Sequence, residues 1–69
     1  MRISARNTIE GVITHIEPGA VNSEVTIKTT GGLEVVSIIT KHSVENLGLK
    51  VGGKAYAVIK SSDVLIAVD

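Results

Sequence analysis

The sequence has no cysteine, which excludes disulfides and thiolate metal sites. It also has no phenylalanine or tryptophan, and Tyr56 is its single aromatic residue. A single-strand nucleic-acid barrel stacks bases on several aromatic platforms above a basic groove, and one ring does not make such a surface. No sign of charge dominates: seven basic residues balance seven acidic ones. A neutral chain lacks the basic field that nonspecific nucleic-acid binding needs, so no nucleic-acid partner is expected. His15 and His42 are the only histidines and lie far apart, so neither a structural zinc nor any other bare cation is expected. The longest strictly apolar runs, residues 55–59 and 64–68, are too short to cross a bilayer. No apolar segment suited to a signal peptide stands at the N-terminus, so a cytoplasmic location without a membrane partner is expected, in keeping with the lack of cysteine. Enzyme signatures are missing as well. No serine stands in a recognisable motif with histidine and acid, no carboxylate pair suggests an acid and a base, and there is no nucleotide-binding glycine pattern.

What is present is hydrophobic and short. The chain has 69 residues, 43% of them hydrophobic, with a mean hydropathy of +0.35. A single domain over residues 1–69 is expected. Below roughly 70–80 residues a lone core seldom stabilises a fold well, and without disulfides or a metal the remaining device is self-association. The excess apolar surface points the same way, towards subunit contacts.

The patterning is mostly β. Val21, Ser23, Val25, Ile27 and Thr29 share one face while Asn22, Glu24, Thr26, Lys28 and Thr30 share the other, as in a half-buried strand. Gly31-Gly32 signals a two-residue hairpin into a strand over residues 33–39. Residues 9–17 form a first strand, ended by Pro18-Gly19. Residues 35–39, 55–59 and 64–68 are apolar on both faces, which in so small a chain means one face in the core and the other against a second subunit. Thr40 is placed to cap a short helix in which Val44 and Leu47 share a face and Gly48 ends the run. The order of three strands, a helix and two strands predicts an all-β fold: a small five-stranded barrel of the oligonucleotide-binding type, with one short helix between strands 3 and 4.

Three clusters supply hydrogen-bond donors with little else: Ser4-Ala5-Arg6-Asn7, Thr40-Lys41-His42-Ser43 and Lys60-Ser61-Ser62. A fully deprotonated oxyanion, which only accepts hydrogen bonds, is the ligand such a set suits. At a helix start the amides of residues 41–43 are expected to be free for an anion. Read singly, these residues have plainer roles. Arg6 and Lys60 are solvated charges by default, the serines are turn residues, Thr40 is as well explained by capping as by ligation, and Asn7 fixes the backbone of the N-terminal arm. His15 and His42 are read as surface residues.

Taken in order, Ser-Ala-Arg-Asn at 4–7, Pro-Gly-Ala-Val-Asn-Ser-Glu-Val at 18–25, Ile-Thr-Lys-His-Ser at 39–43 and Val-Ile-Lys-Ser-Ser-Asp at 58–63 closely resemble the molbindins. These are small cytoplasmic molybdate- and tungstate-binding proteins, built from a module also appended to molybdate transporters and regulators. The resemblance runs along essentially the whole chain. It implies a non-catalytic protein that stores molybdate or tungstate, with no organic cofactor and molybdenum or tungsten held only as the oxyanion. The main site implied comprises Ser4, Arg6, Thr40, Ser43, Lys60 and Ser61. A second site class around a threefold axis implies Gly19, Ala20, Val21 and Asn22. The implied assembly is a homohexamer, a trimer of dimers, in which the N-terminal motif of one subunit meets the later motifs of its partner. Many relatives carry an acidic residue where this chain has Gly53, in a turn away from the implied ligands. The selectivity follows from chemistry. Phosphate keeps a proton near neutral pH and leaves it unpaired in a donor-only site, whereas sulfate must be excluded mainly by its smaller size. Alternatives from other classes are a structural oligomerisation module and a nucleic-acid-binding barrel.

Overall fold

The computed structural model describes every residue, Met1–Asp69. The elements are β1 (Asn7–Pro18), β2 (Asn22–Thr29), β3 (Glu34–Thr40), α1 (Lys41–Asn46) and β4 (Lys54–Ile59), followed by a 3-10 turn over Ser61–Asp63. The strands form one antiparallel sheet in the order β3-β2-β1-β4. The sheet curls into a half-barrel, so that its two edge strands, β3 and β4, line a common apolar groove with Ile27 at its floor.

The core is very small. Ile13, Val25 and Ile27 are the buried hydrophobic residues, with Ile16, Ile39, Val44, Leu49, Ala55 and Ala57 packed partly against them. The inward alternation of Ser23, Val25 and Ile27 is the one read from the sequence. Burying each large aliphatic chain stabilises by about 1.5–3 kcal/mol, and three such residues are few for a chain of this length.

Two sequence expectations about the sheet require correction. Four strands are present rather than five, because residues 64–68 join no strand of the sheet: Leu65, Ile66 and Val68 are 91%, 86% and 93% exposed. The β2–β3 hairpin has a three-residue loop, Thr30, Gly31 and Gly32, rather than a two-residue one. Thr29 N–H donates to Leu33 C=O at 2.8 Å and Gly32 N–H donates to Thr29 C=O at 2.9 Å. Only Gly32 takes a positive φ, of 85°, so one left-handed residue after an ordinary turn closes this hairpin. β1 also carries an irregularity of its own. Its register against β2 shifts between Ile13 and His15, so Thr14 is a bulge residue. The inward face then passes from Ile13 to Ile16, and the extra residue bends the strand.

The helix follows its sequence signals at both ends. Thr40 caps its start, with its hydroxyl oxygen accepting from Ser43 N–H. At its end, Leu49 N–H donates to Val44 C=O and Gly48 N–H to Glu45 C=O, each at 3.1 Å, with Gly48 at φ 63°. This is the glycine-terminated arrangement that satisfies the last carbonyls and folds Leu49 back on Val44. Leu47, read as sharing a face with Val44, stands at the C-cap and is 66% exposed. The helix is too short to cross a membrane, and no helix in the chain is long and apolar enough to do so.

Candidate functional site

One donor cluster assembles where β1 begins and β4 ends. Asn7 pairs with Ile59, so the strand register carries the preceding arm, Ser4 to Arg6, alongside the following turn, Lys60 and Ser61. These residues line one shallow depression together with Ile3, Ala5 and Ser62. No carboxylate lines it. Lys60 leads into the 3-10 turn, which is closed by Asp63 N–H donating to Lys60 C=O at 2.9 Å and Val64 N–H donating to Ser61 C=O at 3.3 Å. Asn7 fastens the other side, its side-chain amide donating to Ile59 C=O at 3.3 Å.

The charges of this depression are uncompensated. The acid–base side-chain contacts in the chain are His15 with Glu17 and Lys54 with Glu10, each at 3.1 Å, and neither involves Arg6 or Lys60. Two exposed cations therefore face one hollow with no acid between them. An anion placed there would relieve their mutual repulsion. Lys54 differs. Its hydrogen bond to Glu10, together with that to Tyr56, raises its pKa above the usual lysine value, and its ammonium lies 5.5 Å from the Tyr56 ring centroid. It is a paired surface cation.

A second cluster lies at the opposite end of the sheet. Asn22 pairs with Thr40, and Lys41 N–H donates to Val21 C=O at 2.8 Å. This ties the turn of Gly19, Ala20, Val21 and Asn22 to the start of α1. The turn is tight: a Cβ on Gly19 would stand 2.4 Å from Asn22 O. Thr40 Oγ1 donates to Ser43 Oγ at 2.8 Å and accepts from Ser43 N–H at 3.0 Å. This contact uses one of the two hydroxyl protons and leaves the other as a donor for a ligand. The free amides expected at residues 41–43 are only partly found, since those of Lys41 and Ser43 already donate within the chain. Thr40→Ala is therefore expected to cost about 1 kcal/mol of stability, lowering Tm by about 4–8 °C for a domain of this size. Thr40→Ser should recover most of it in a thermal melt.

The six residues of the implied main site thus fall into two groups within one chain. Ser4, Arg6, Lys60 and Ser61 come together, while Thr40 and Ser43 do not join them. β1 alone separates the two ends by 12 residues, about 36–40 Å of strand path. The N-terminal motif and the Lys60-Ser61 motif line the same depression within one chain. Ile3 and Ala5, apolar residues that no donor argument selects, also line the depression. His15 and His42 are exposed, and no group of acids and histidines is arranged to hold a metal ion.

A curled, four-stranded sheet with a short helix after its third strand, bearing donor clusters at both ends, defines a small β-sheet ligand-binding module. The model of the TOBE domain matches residues 3–66. Molybdenum-pterin-binding protein 1 of Clostridium pasteurianum is 46% identical over 66 residues, covering 96% of this chain and 97% of its own. Among solved structures, MopII from Clostridium pasteurianum superposes with a TM-score of 0.93 at 43% identity, covering 97% of this chain and 100% of that one. The cytoplasmic molybdate-binding protein ModG, in a form with molybdate bound, superposes with a TM-score of 0.90 at 52% identity, over 94% of this chain and 46% of ModG. The chain belongs to the TOBE-domain family, and within it to the molybdenum-binding Mop group that the sequence motifs resemble.

Proposed function

We propose that this protein binds molybdate, and tungstate as a dianion of the same shape, for storage and homeostasis in the cytoplasm and without catalysing a reaction. The observation that carries this reading is the depression of Ser4, Arg6, Lys60 and Ser61, which offers two unpaired cations and two hydroxyls and no carboxylate. Arg6 and Lys60 supply charge-assisted hydrogen bonds, and Ser4 and Ser61 donate their hydroxyls. Support comes from ModG, whose crystals hold molybdate. Neither alternative class is favoured. A purely structural module gives no reason for two bare cations in one hollow, and a nucleic-acid surface has only Tyr56 to stack on.

Thr40 and Ser43 enter the proposed main site from a second subunit, offering one hydroxyl donor between them. The fifth strand of the barrel, residues 64–68, is completed in the same assembly by pairing with a second copy. The support for this is the apolar tail itself: a stretch with Leu65, Ile66 and Val68 fully open to water needs cover. The proposed assembly is a homohexamer built as a trimer of dimers, with Gly19, Ala20, Val21 and Asn22 supplying a second class of oxyanion site. Ile66→Asp is expected to convert the oligomer to smaller species in sedimentation velocity. An unchanged sedimentation coefficient would remove the tail from the subunit contact.

Ligand selectivity is tested by thermal denaturation. Molybdate should raise Tm more than sulfate at the same concentration, since a ligand at about 100 times its Kd stabilises by about 2.7 kcal/mol. Equal stabilisation by both anions would contradict the selectivity.

A further inference from the structure

We infer that Asn7 is a positioning residue for the oxyanion: its side-chain amide latches the N-terminal arm to β4 and so sets the spacing between Arg6 and Lys60. The inference rests on the reading of that depression as the anion site. Asn7 and Ile59 form the last rung of the β1–β4 ladder. Arg6 is the residue just before this rung on one strand, and Lys60 the residue just after it on the other. Terminal rungs open most readily, because nothing beyond them holds the strands. Opening here is favoured further by electrostatics, since two unpaired cations lie beyond the rung and repel each other. The Asn7 amide adds a hydrogen bond across that position, to Ile59 C=O at 3.3 Å.

Asn7 is half-buried, and its side chain reaches across the strands where those of its neighbours Arg6 and Thr8 are exposed. It does not line the depression. Its effect on an anion therefore passes through the two cations. With the latch closed, both cations are held in place before the ligand arrives, and the ligand does not bear the cost of drawing the strands together. With the latch removed, part of the population has the arm detached, and apparent affinity falls by the fraction that is competent.

The test uses the full chain, sodium molybdate as the probe, and two readouts: the dissociation constant by calorimetry, and amide hydrogen exchange without ligand. For Asn7→Ala we expect Kd to rise severalfold, up to about tenfold, the range of one net neutral hydrogen bond. We also expect faster exchange in residues 3–8 and 58–61, with the amides of Ile13, Val25 and Ile27 unchanged. Asn7→Asp keeps the size and loses the donor, and should bind at least as weakly as Asn7→Ala. Arg6→Ala is the control. If Arg6→Ala weakens binding and Asn7→Ala does not, the latch is wrong and the site stands. Weaker binding in Asn7→Ala with unchanged exchange would make Asn7 a direct ligand and overturn the positioning role. If neither variant changes Kd, the site reading itself fails and the latch with it.

Discussion

Replacing Arg6 with alanine is expected to raise the molybdate dissociation constant about 10- to 100-fold and to abolish most of the ligand-induced rise in Tm, while leaving the unliganded protein as stable as before. The affinity loss is that of one or more hydrogen bonds to a charged group. The unchanged baseline follows from the structure, in which Arg6 is exposed and makes no ion pair. Removing it relieves repulsion with Lys60 and breaks no packing. Arg6→Lys restores the charge but loses the planar fork of donors, so recovery should be partial. Calorimetric titration with molybdate, alongside thermal melts of the unliganded variants, checks both halves. An Arg6→Ala variant that binds like the parent would exclude this depression as the site.

Gly11→Ala is expected to be the most damaging small substitution in the chain, and it acts on the fold. Gly11 is buried on β1 where the strand crosses β2. A Cβ there would stand 2.3 Å from Ile27 Cγ2 and 2.7 Å from Lys28 O. Ile27 is one of three buried core residues and Lys28 O is backbone, so neither yields easily. Overpacking of this kind costs about 1–3 kcal/mol. At about 4–8 °C per kcal/mol for a domain of this size, Tm should fall clearly, and a core this small has little reserve. Gly31→Ala is the matched comparison, because nothing lies within 4 Å of its Cβ and its φ is not positive. That variant should melt within about 2–4 °C of the parent, the change expected of a surface substitution. Similar losses in both would mean that loop entropy, and not the contact with Ile27, sets the effect.

These two cases mark where the sequence was legible. The donor clusters were, because Arg, Lys and Ser gather there without an interrupting acid, and strand pairing then brings two of the three clusters to one hollow. The helix was legible from Thr40 and Gly48, whose side chain and lack of one dictate local hydrogen bonds. The inward face of β2 was legible because alternation is local. Gly11 was not, since its need to lack a side chain arises only where Ile27 lies across it. The bulge at Thr14 escaped for a related reason: residues on either side of it still read as a strand, and only the pairing partner reveals the slipped register. The fifth strand was expected from the apolar run at 64–68. Hydrophobicity fixes that such a run must be covered, but not that its own chain covers it. The division of the six site residues between two ends of the sheet was likewise invisible, because a motif has a place in sequence before it has one in space.

The protein is expected to assemble and to take up molybdate in discrete sites that reject sulfate. Native mass spectrometry of the purified protein, first with molybdate and then with sulfate, tests both parts at once. The expected result is a hexamer carrying a fixed number of molybdate ions and none of sulfate. A monomer that gains neither anion would contradict it.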